Sequence, residues 1–310
     1  MIAQSFPPAR RNKTVIRLLP LLLMSLLLTG CEDGVFARKG TIGDQDAAIL
    51  IDSLIIMLTI VVPTICATFA FAWWYRASNT RAAYNPDFVY SGRIELIVWS
   101  IPLLTITLLG GVAWIGSHQL DPGNPLPGNA PTLEIQGVSL DWKWLFIYPD
   151  QHVASVDELV VPVGARLHFS LTSASVLNVF FVPALGSMIY TMNGMATELN
   201  LDARQAGTYR GQSYHFSGDG FPNMLFQVRA VPPADFTAWV AATRGAGAPR
   251  LERASYTELE KQGVPPHPFV YSDIAPNMFA DIVSQKLPPG PGPVADASGM
   301  GKSPAGQGAP

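Results

Sequence analysis

Thiolate chemistry in this chain of 310 residues is limited to two cysteines, Cys31 and Cys66. Two are too few for a disulfide-stapled scaffold or a thiolate-rich zinc module. His118, His152, His168 and His267 are scattered without ligand spacing, so no metal is assigned to them. Met188, Met192, Met195 and Met224 could offer thioethers to a soft metal. Without thiolate or imidazole beside them, apolar packing in loops is the simpler reading. Trp142 and Trp144 alternate, which places both on one face of a predicted strand. Glu95 is an ionisable group at the edge of a long apolar run, where it is costly unless hydrated, paired or used. No residue is assigned a catalytic role. A net charge of −3 argues against nucleic acid as a partner, which would call for a basic face.

The elements that carry these residues begin in lipid. Charged residues make up 14% of the chain, against about 25% in ordinary soluble domains. Arg10, Arg11, Lys13 and Arg17 precede the apolar run Leu18 to Leu28, which ends in Leu28-Thr29-Gly30-Cys31. A basic start, a short apolar core and small residues mark 1–30 as an export signal. Small residues directly before a cysteine resemble the lipobox of bacterial lipoproteins. That resemblance implies cleavage before Cys31 and lipid on its sulfur and amino group. The alternative is an ordinary signal or a first anchor with an incidental cysteine.

Residues 53–75 and 96–117 contain no charge, and each is long enough to cross the hydrocarbon as a helix. Trp73, Trp74 and Tyr75 close the first, while Trp99 and Trp114 lie near the ends of the second, as interfacial aromatics do. Cys66 falls in mid-span and is expected to be a small buried apolar residue. The link 76–95 carries Arg76, Arg81 and Arg93 against Asp87, which predicts a cytoplasmic loop. Segment 31–52 and everything after Ser117 are then expected outside.

From 131 to 231 the pattern changes to short alternating runs bounded by Gly, Pro, Asn and Asp. Strands are predicted at 132–138, 141–148, 158–163, 166–172, 177–182, 196–201, 207–214 and 224–230. Close spacing without helical periodicity predicts an antiparallel sandwich. Helical character follows at 236–243, 256–262 and 278–286 within a C-terminal region, 234–287, and the Pro- and Gly-rich tail 288–310 is expected to be disordered.

A lipobox, a helical hairpin and an outer sandwich together resemble subunit II of the haem–copper respiratory oxidases. Gly92-Arg93-Ile94-Glu95-Leu96 and Trp99-Ser100-Ile101-Pro102 resemble the start of that family's second membrane helix. Asp141-Trp142-Lys143-Trp144 resembles its aromatic segment. Thr172-Ser173, Val182-Pro183-Ala184-Leu185-Gly186 and Gly207-Thr208-Tyr209-Arg210-Gly211-Gln212 match loops of its cupredoxin sandwich. The fold class implied is membrane-anchored α+β: a two-helix transmembrane hairpin, an all-β cupredoxin-like Greek-key sandwich and a short helical C-terminal region.

In the cytochrome c-oxidising members this domain binds a dinuclear copper centre through His, Cys, Glu, Cys, His and Met. Here the corresponding positions are Asn178, Ser213, His215, Ser217, Phe221 and Met224. Serine hydroxyls are poor ligands for soft copper. Loss of the site with retention of the fold resembles the quinol-oxidising branch, the cytochrome bo-type ubiquinol oxidases. Phe180-Phe181-Val182-Pro183, Ile189-Tyr190-Thr191-Met192, Ser217-Gly218-Asp219-Gly220-Phe221 and Met278-Phe279-Ala280-Asp281-Ile282-Val283 resemble its versions of these segments.

The resemblance implies a subunit without cofactors of its own, with haems and copper in subunit I, ubiquinol oxidised by the complex, and no cytochrome c as partner. It associates Glu95 with the mouth of a proton-uptake path; the alternative is an interfacial carboxylate paired with Arg93 or facing water. Trp142 and Trp144 are expected to pack against the catalytic subunit. The other readings are a cytochrome c oxidase subunit with a degenerate site, or a free-standing lipoprotein in binding or assembly. Without residues 1–30 the chain has 16 basic and 23 acidic residues, a net charge of −7.

Overall fold

The computed structural model describes residues 36–293 apart from Tyr84 and Ala246. The expected signal, Cys31 and most of the C-terminal tail lie outside the described residues. Two long helices come first, α1 (Thr41–Trp74) and α2 (Gly92–Gln119), both long and apolar enough to cross a membrane. Helix α1 starts well before the uncharged stretch at Ser53, so its first turns stand above the expected hydrocarbon. Hydroxyls within the helices need no water: Thr59, Thr64 and Thr68 each donate to the carbonyl four residues earlier at 2.8 Å. Cys66 is exposed on α1, not buried. A membrane helix presents apolar residues outward, because lipid or another helix is its solvent.

Ten of the eleven sandwich strands come first: β1 (Thr132–Leu140), β2 (Lys143–Tyr148), β3 (Val153–Val156), β4 (Glu158–Pro162), β5 (Arg166–Ser173), β6 (Asn178–Phe181), β7 (Ile189–Thr191), β8 (Thr197–Asp202), β9 (Gly207–Ser213) and β10 (Leu225–Val231). The C-terminal region adds α3 (Pro233–Gly245), β11 (Arg250–Leu251), α4 (Arg253–Leu259), β12 (Phe269–Tyr271), β13 (Asp273–Ile274) and α5 (Met278–Val283). One sheet runs β12-β3-β2-β1-β5-β8, the other β4-β10-β9-β6-β7.

The sandwich is not wholly antiparallel. Strands β1 and β5 pair in parallel, as do β4 and β10. Alternation of side chains is the same in either direction, so the sequence pattern carries no information on strand polarity.

Between the sheets lies an aromatic core. Phe180 and Phe226 stack at 5.2 Å, and Trp144 meets Phe180 edge-on at 5.5 Å. Gly211 faces this core, where a Cβ would come within 2.2 Å of the Phe226 ring. Strand β2 is buried on both faces. Trp144, Phe146 and Tyr148 point into the sandwich, while Leu145 and Ile147 lie under a second cluster with Tyr256, Phe279 and Ile282. The C-terminal region is therefore an outer cover on the sheet.

The sandwich is bonded directly to the outer end of the hairpin. Asp202 at the end of β8 accepts from the Thr41 backbone N–H at 2.6 Å and from its hydroxyl at 2.7 Å. A carboxylate there satisfies an orphan donor and complements the positive end of the helix. The Lys39 and Gly43 N–H groups donate to the carbonyls of Ala184 and Leu185 at 2.8 and 3.0 Å. Gly40 permits this approach, since a Cβ would lie 2.5 Å from the Leu185 oxygen.

Candidate functional site at the end of the sandwich

The six positions singled out in the sequence are brought to one end of the sandwich by β6, β9 and the loop before β10. Asn178 opens β6, Ser213 closes β9, and Met224 directly precedes β10. These three are almost fully buried. They are tied to one another and to the strands behind them. The Ser213 hydroxyl donates to Asn178 Oδ1 at 3.0 Å, and the Ser213 N–H donates to the Met224 carbonyl at 3.3 Å. Asn178 Nδ2 donates to Ser139 Oγ at 3.4 Å, and Ser139 shares a 2.9 Å hydrogen bond with Thr191. Ser139 and Thr191 are wholly buried. Polar groups sealed from water are costly unless bonded, and here they bond each other.

The rest of the loop is arranged around Trp142. Its indole N–H donates to the Ser217 carbonyl at 2.8 Å. Gly220 lies so close that a Cβ would fall 2.1 Å from the indole. The Ser217 hydroxyl and His215 Nδ1 are buried without a hydrogen-bond partner among the described residues. His215 stands edge-on to Tyr190 at 6.2 Å, and Phe221 packs against Phe216 at 5.8 Å.

A dinuclear copper centre does not fit these donors. Two alcohols, one amide, one thioether and one imidazole provide no bridging thiolate. Among the described residues no three His, Cys, Asp or Glu side chains are grouped as metal ligands. Cys66, the one described cysteine, lies in α1 away from the sandwich.

The tryptophans differ from the sequence expectation. Trp144 is 0% exposed and Trp142 9% exposed within this chain alone. Nor do they share a strand face, because Trp142 sits before β2 with φ of 71°. Trp144 fills the core, and Trp142 joins the same buried cluster while supporting the loop, so both rings are largely covered within this chain. Glu95 lies in the first turn of α2 and accepts from the Trp99 indole at 3.1 Å, not from Arg93.

Two features escape a reading of the sequence. His168 and Glu134 face each other across the parallel β1–β5 pair, with Nδ1 and Oε2 2.6 Å apart. Only the parallel register brings them together. Beneath the aromatic segment, Asp157 adopts φ of 57° and accepts from the Trp144 N–H at 2.7 Å. Burial pushes its carboxyl up to about 7, against the lowering effects of that N–H and of Lys143. Burial lowers the Lys143 ammonium, and the nearby Asp157 and Asp141 carboxylates oppose that. Burial likewise raises Asp141.

Fold and loops together define a class: a membrane-anchored oxidase subunit II with a cupredoxin-like outer domain. Residues 148–231 match the family described as cytochrome c oxidase subunit II, periplasmic domain. The chain is 43% identical to cytochrome bo(3) ubiquinol oxidase subunit 2 of Pseudomonas aeruginosa, covering 84% of this chain and 78% of that one. It is 41% identical to ubiquinol oxidase subunit 2 of Acetobacter aceti, over 89% and 90% of the two chains. Among solved structures, the periplasmic domain of cytochrome oxidase subunit II of Bradyrhizobium japonicum aligns at 27% identity, over 40% of this chain and 100% of that one, with a TM-score of 0.37. The chain belongs to the cytochrome bo(3) ubiquinol oxidase subunit 2 family, and is thus one subunit of a respiratory oxidoreductase complex.

Proposed function

We propose that this chain is the structural, copper-free subunit II of a proton-translocating ubiquinol oxidase in a bacterial inner membrane. Its hairpin anchors it and its sandwich stands on the periplasmic side beside subunit I, which holds the haems and copper. The link 76–95 is cytoplasmic, as its three arginines, against Asp87 and Glu95, favour. Cys31 carries the lipid anchor on the outer face, consistent with an outer position for residues just before α1.

The observation that carries the reading is the Asn178–Ser213–Ser139–Thr191 network. It fills the former ligand shell with bonded neutral groups, which bind no soft metal and pass no electrons. Ubiquinol is dissolved in the bilayer, so electrons from it need no relay on the water side. The outer domain then supports the complex without accepting electrons from cytochrome c. Glu95, at the cytoplasmic end of α2, is in place to hydrate and pass protons toward subunit I.

The test is the purified complex assayed with ubiquinol and, separately, with reduced cytochrome c, alongside its metal content per haem. Ubiquinol oxidation with no cytochrome c oxidation is expected, with no copper beyond that of subunit I. Oxidation of cytochrome c but not ubiquinol would overturn the reading.

A further inference from the structure

Positive charge is concentrated where hairpin and sandwich meet. A cleft of about 910 Å³ is lined by Arg38 and Lys39 ahead of α1, by Arg204 after β8 and by Arg210 on β9. Asp44 is the carboxylate in the same lining, bonded to Arg204 and 4.0 Å from Arg38. Lys39 Nζ donates to the neutral Gln205 at 2.8 Å. The exposed Arg210 guanidinium makes no ion pair or hydrogen bond among the described residues. Four cations thus face one anion, on an outer region that is otherwise acidic, with 11 basic against 16 acidic residues after Ser117. Like charges held together against that background call for an external anion.

The height of the cleft indicates which anion. The helices cross closely at Ile49 and Gly116, where a Cβ on the glycine would lie 2.7 Å from Ile49 Cδ1. The uncharged stretch of α2 ends at Ser117 and that of α1 begins at Ser53, so the outer hydrocarbon edge lies between this crossing and Ser53. Asp44 is five residues beyond the crossing and nine beyond Ser53, about 7.5 to 13.5 Å at the helical rise. Headgroups occupy roughly 5–8 Å beyond the hydrocarbon on each side. The cleft therefore opens at the outer margin of the headgroups, from which arginine side chains reach down to lipid phosphates.

We infer that this cleft binds the phosphate of an anionic phospholipid of the outer leaflet, with Arg210 and Arg38 as its principal contacts. Guanidinium forks match phosphate oxygens in bidentate fashion. A zwitterionic headgroup brings an ammonium that the surrounding cations repel, so the site selects phosphatidylglycerol-type lipids over phosphatidylcholine. The inference rests on the proposed periplasmic placement of the sandwich in an assembled complex.

The experiment uses the intact delipidated complex in detergent, with native mass spectrometry as the readout. It is titrated with phosphatidylglycerol, with phosphatidylcholine of the same chains, and with inorganic phosphate. The wild type should bind phosphatidylglycerol in preference to both alternatives. Arg210→Ala should weaken that binding about fivefold, and Arg210→Glu or Arg38→Ala/Arg210→Ala about 25-fold or more. Equal binding of both lipids, phosphate held as tightly as lipid, or unchanged binding in all variants would overturn it. Haem content and total mass of the same sample report on assembly. A wild-type preparation without haem-bearing subunits fails the underlying reading, whereas a complete complex without lipid selectivity fails only this inference.

Discussion

Lys143, buried at the start of β2, reaches out of the sheet and donates from Nζ to the carbonyls of Leu259 at 2.9 Å and Lys261 at 2.6 Å. It thereby closes the C-terminal end of α4, where a cation complements the helix dipole and the unpaired carbonyls. One residue of the sandwich thus fastens the C-terminal cover. Lys143→Ala should cost about 1.5–3 kcal/mol for each charged hydrogen bond lost. The expected result is early proteolytic release of the segment after Pro249, with the two helices and the sandwich still intact. Simultaneous loss of cover and sandwich would show that Lys143 holds the whole domain.

Asp157 makes stability fall as pH rises. Its folded carboxyl lies near 7, above the ordinary value of 3.8, mainly through burial. Between those values the folded state holds a proton that the unfolded state has released. Its contribution is therefore fully present below about pH 4 and is lost as pH climbs through 7. The swing is on the order of 4 kcal/mol. Asp141 is raised in the same direction and adds to the slope. Asp157→Asn keeps an oxygen for the Trp144 N–H and should flatten the profile. Urea unfolding of the complex, followed by tryptophan fluorescence from pH 4 to 8, measures this; identical slopes in both proteins would reject it.

Ser213→Ala removes the donor to Asn178 Oδ1 and leaves a buried oxygen unpaired. Destabilisation of about 1–3 kcal/mol is expected, with turnover on ubiquinol unchanged in the assembled complex. Thermal unfolding and oxygen consumption on the same sample separate the two effects. A collapse of turnover at full haem content would give this end of the sandwich a part in electron transfer.

Glu95→Gln preserves an acceptor for the Trp99 indole, so assembly should be normal. If the carboxylate takes up protons, proton release by reconstituted complexes should fall severalfold while ubiquinol binding is unaltered. Unchanged proton yield and rate would leave Glu95 as an interfacial group only.

Features set by local chemistry are legible in the amino-acid sequence itself. An uncharged run of membrane length reads the same wherever it folds, and replaced ligands are visible one residue at a time. Most sandwich strands are also legible, because β1, β5, β8 and β10 alternate between buried and more exposed positions. What stays hidden is non-local. Strand β3 is buried at all four positions and shows no alternation. The parallel β1–β5 register, which creates the His168–Glu134 pair, depends on a crossover. The spacing of Trp142 and Trp144 suggests a common surface, because a positive φ at the first of them leaves no mark on spacing. The inner place of Trp144 also depends on a distant cover: helices α4 and α5 occupy the outer face of β2.

The grip of Asp202 on Thr41, with the backbone bonds of Lys39 and Gly43 beside it, fastens the first membrane helix directly to the sandwich. A change in the tilt of α1 must therefore swing the outer domain with it. That tilt is set by helix packing and by interfacial anchors such as Trp73 and Trp74, so the outer domain takes its aim from contacts made inside the membrane.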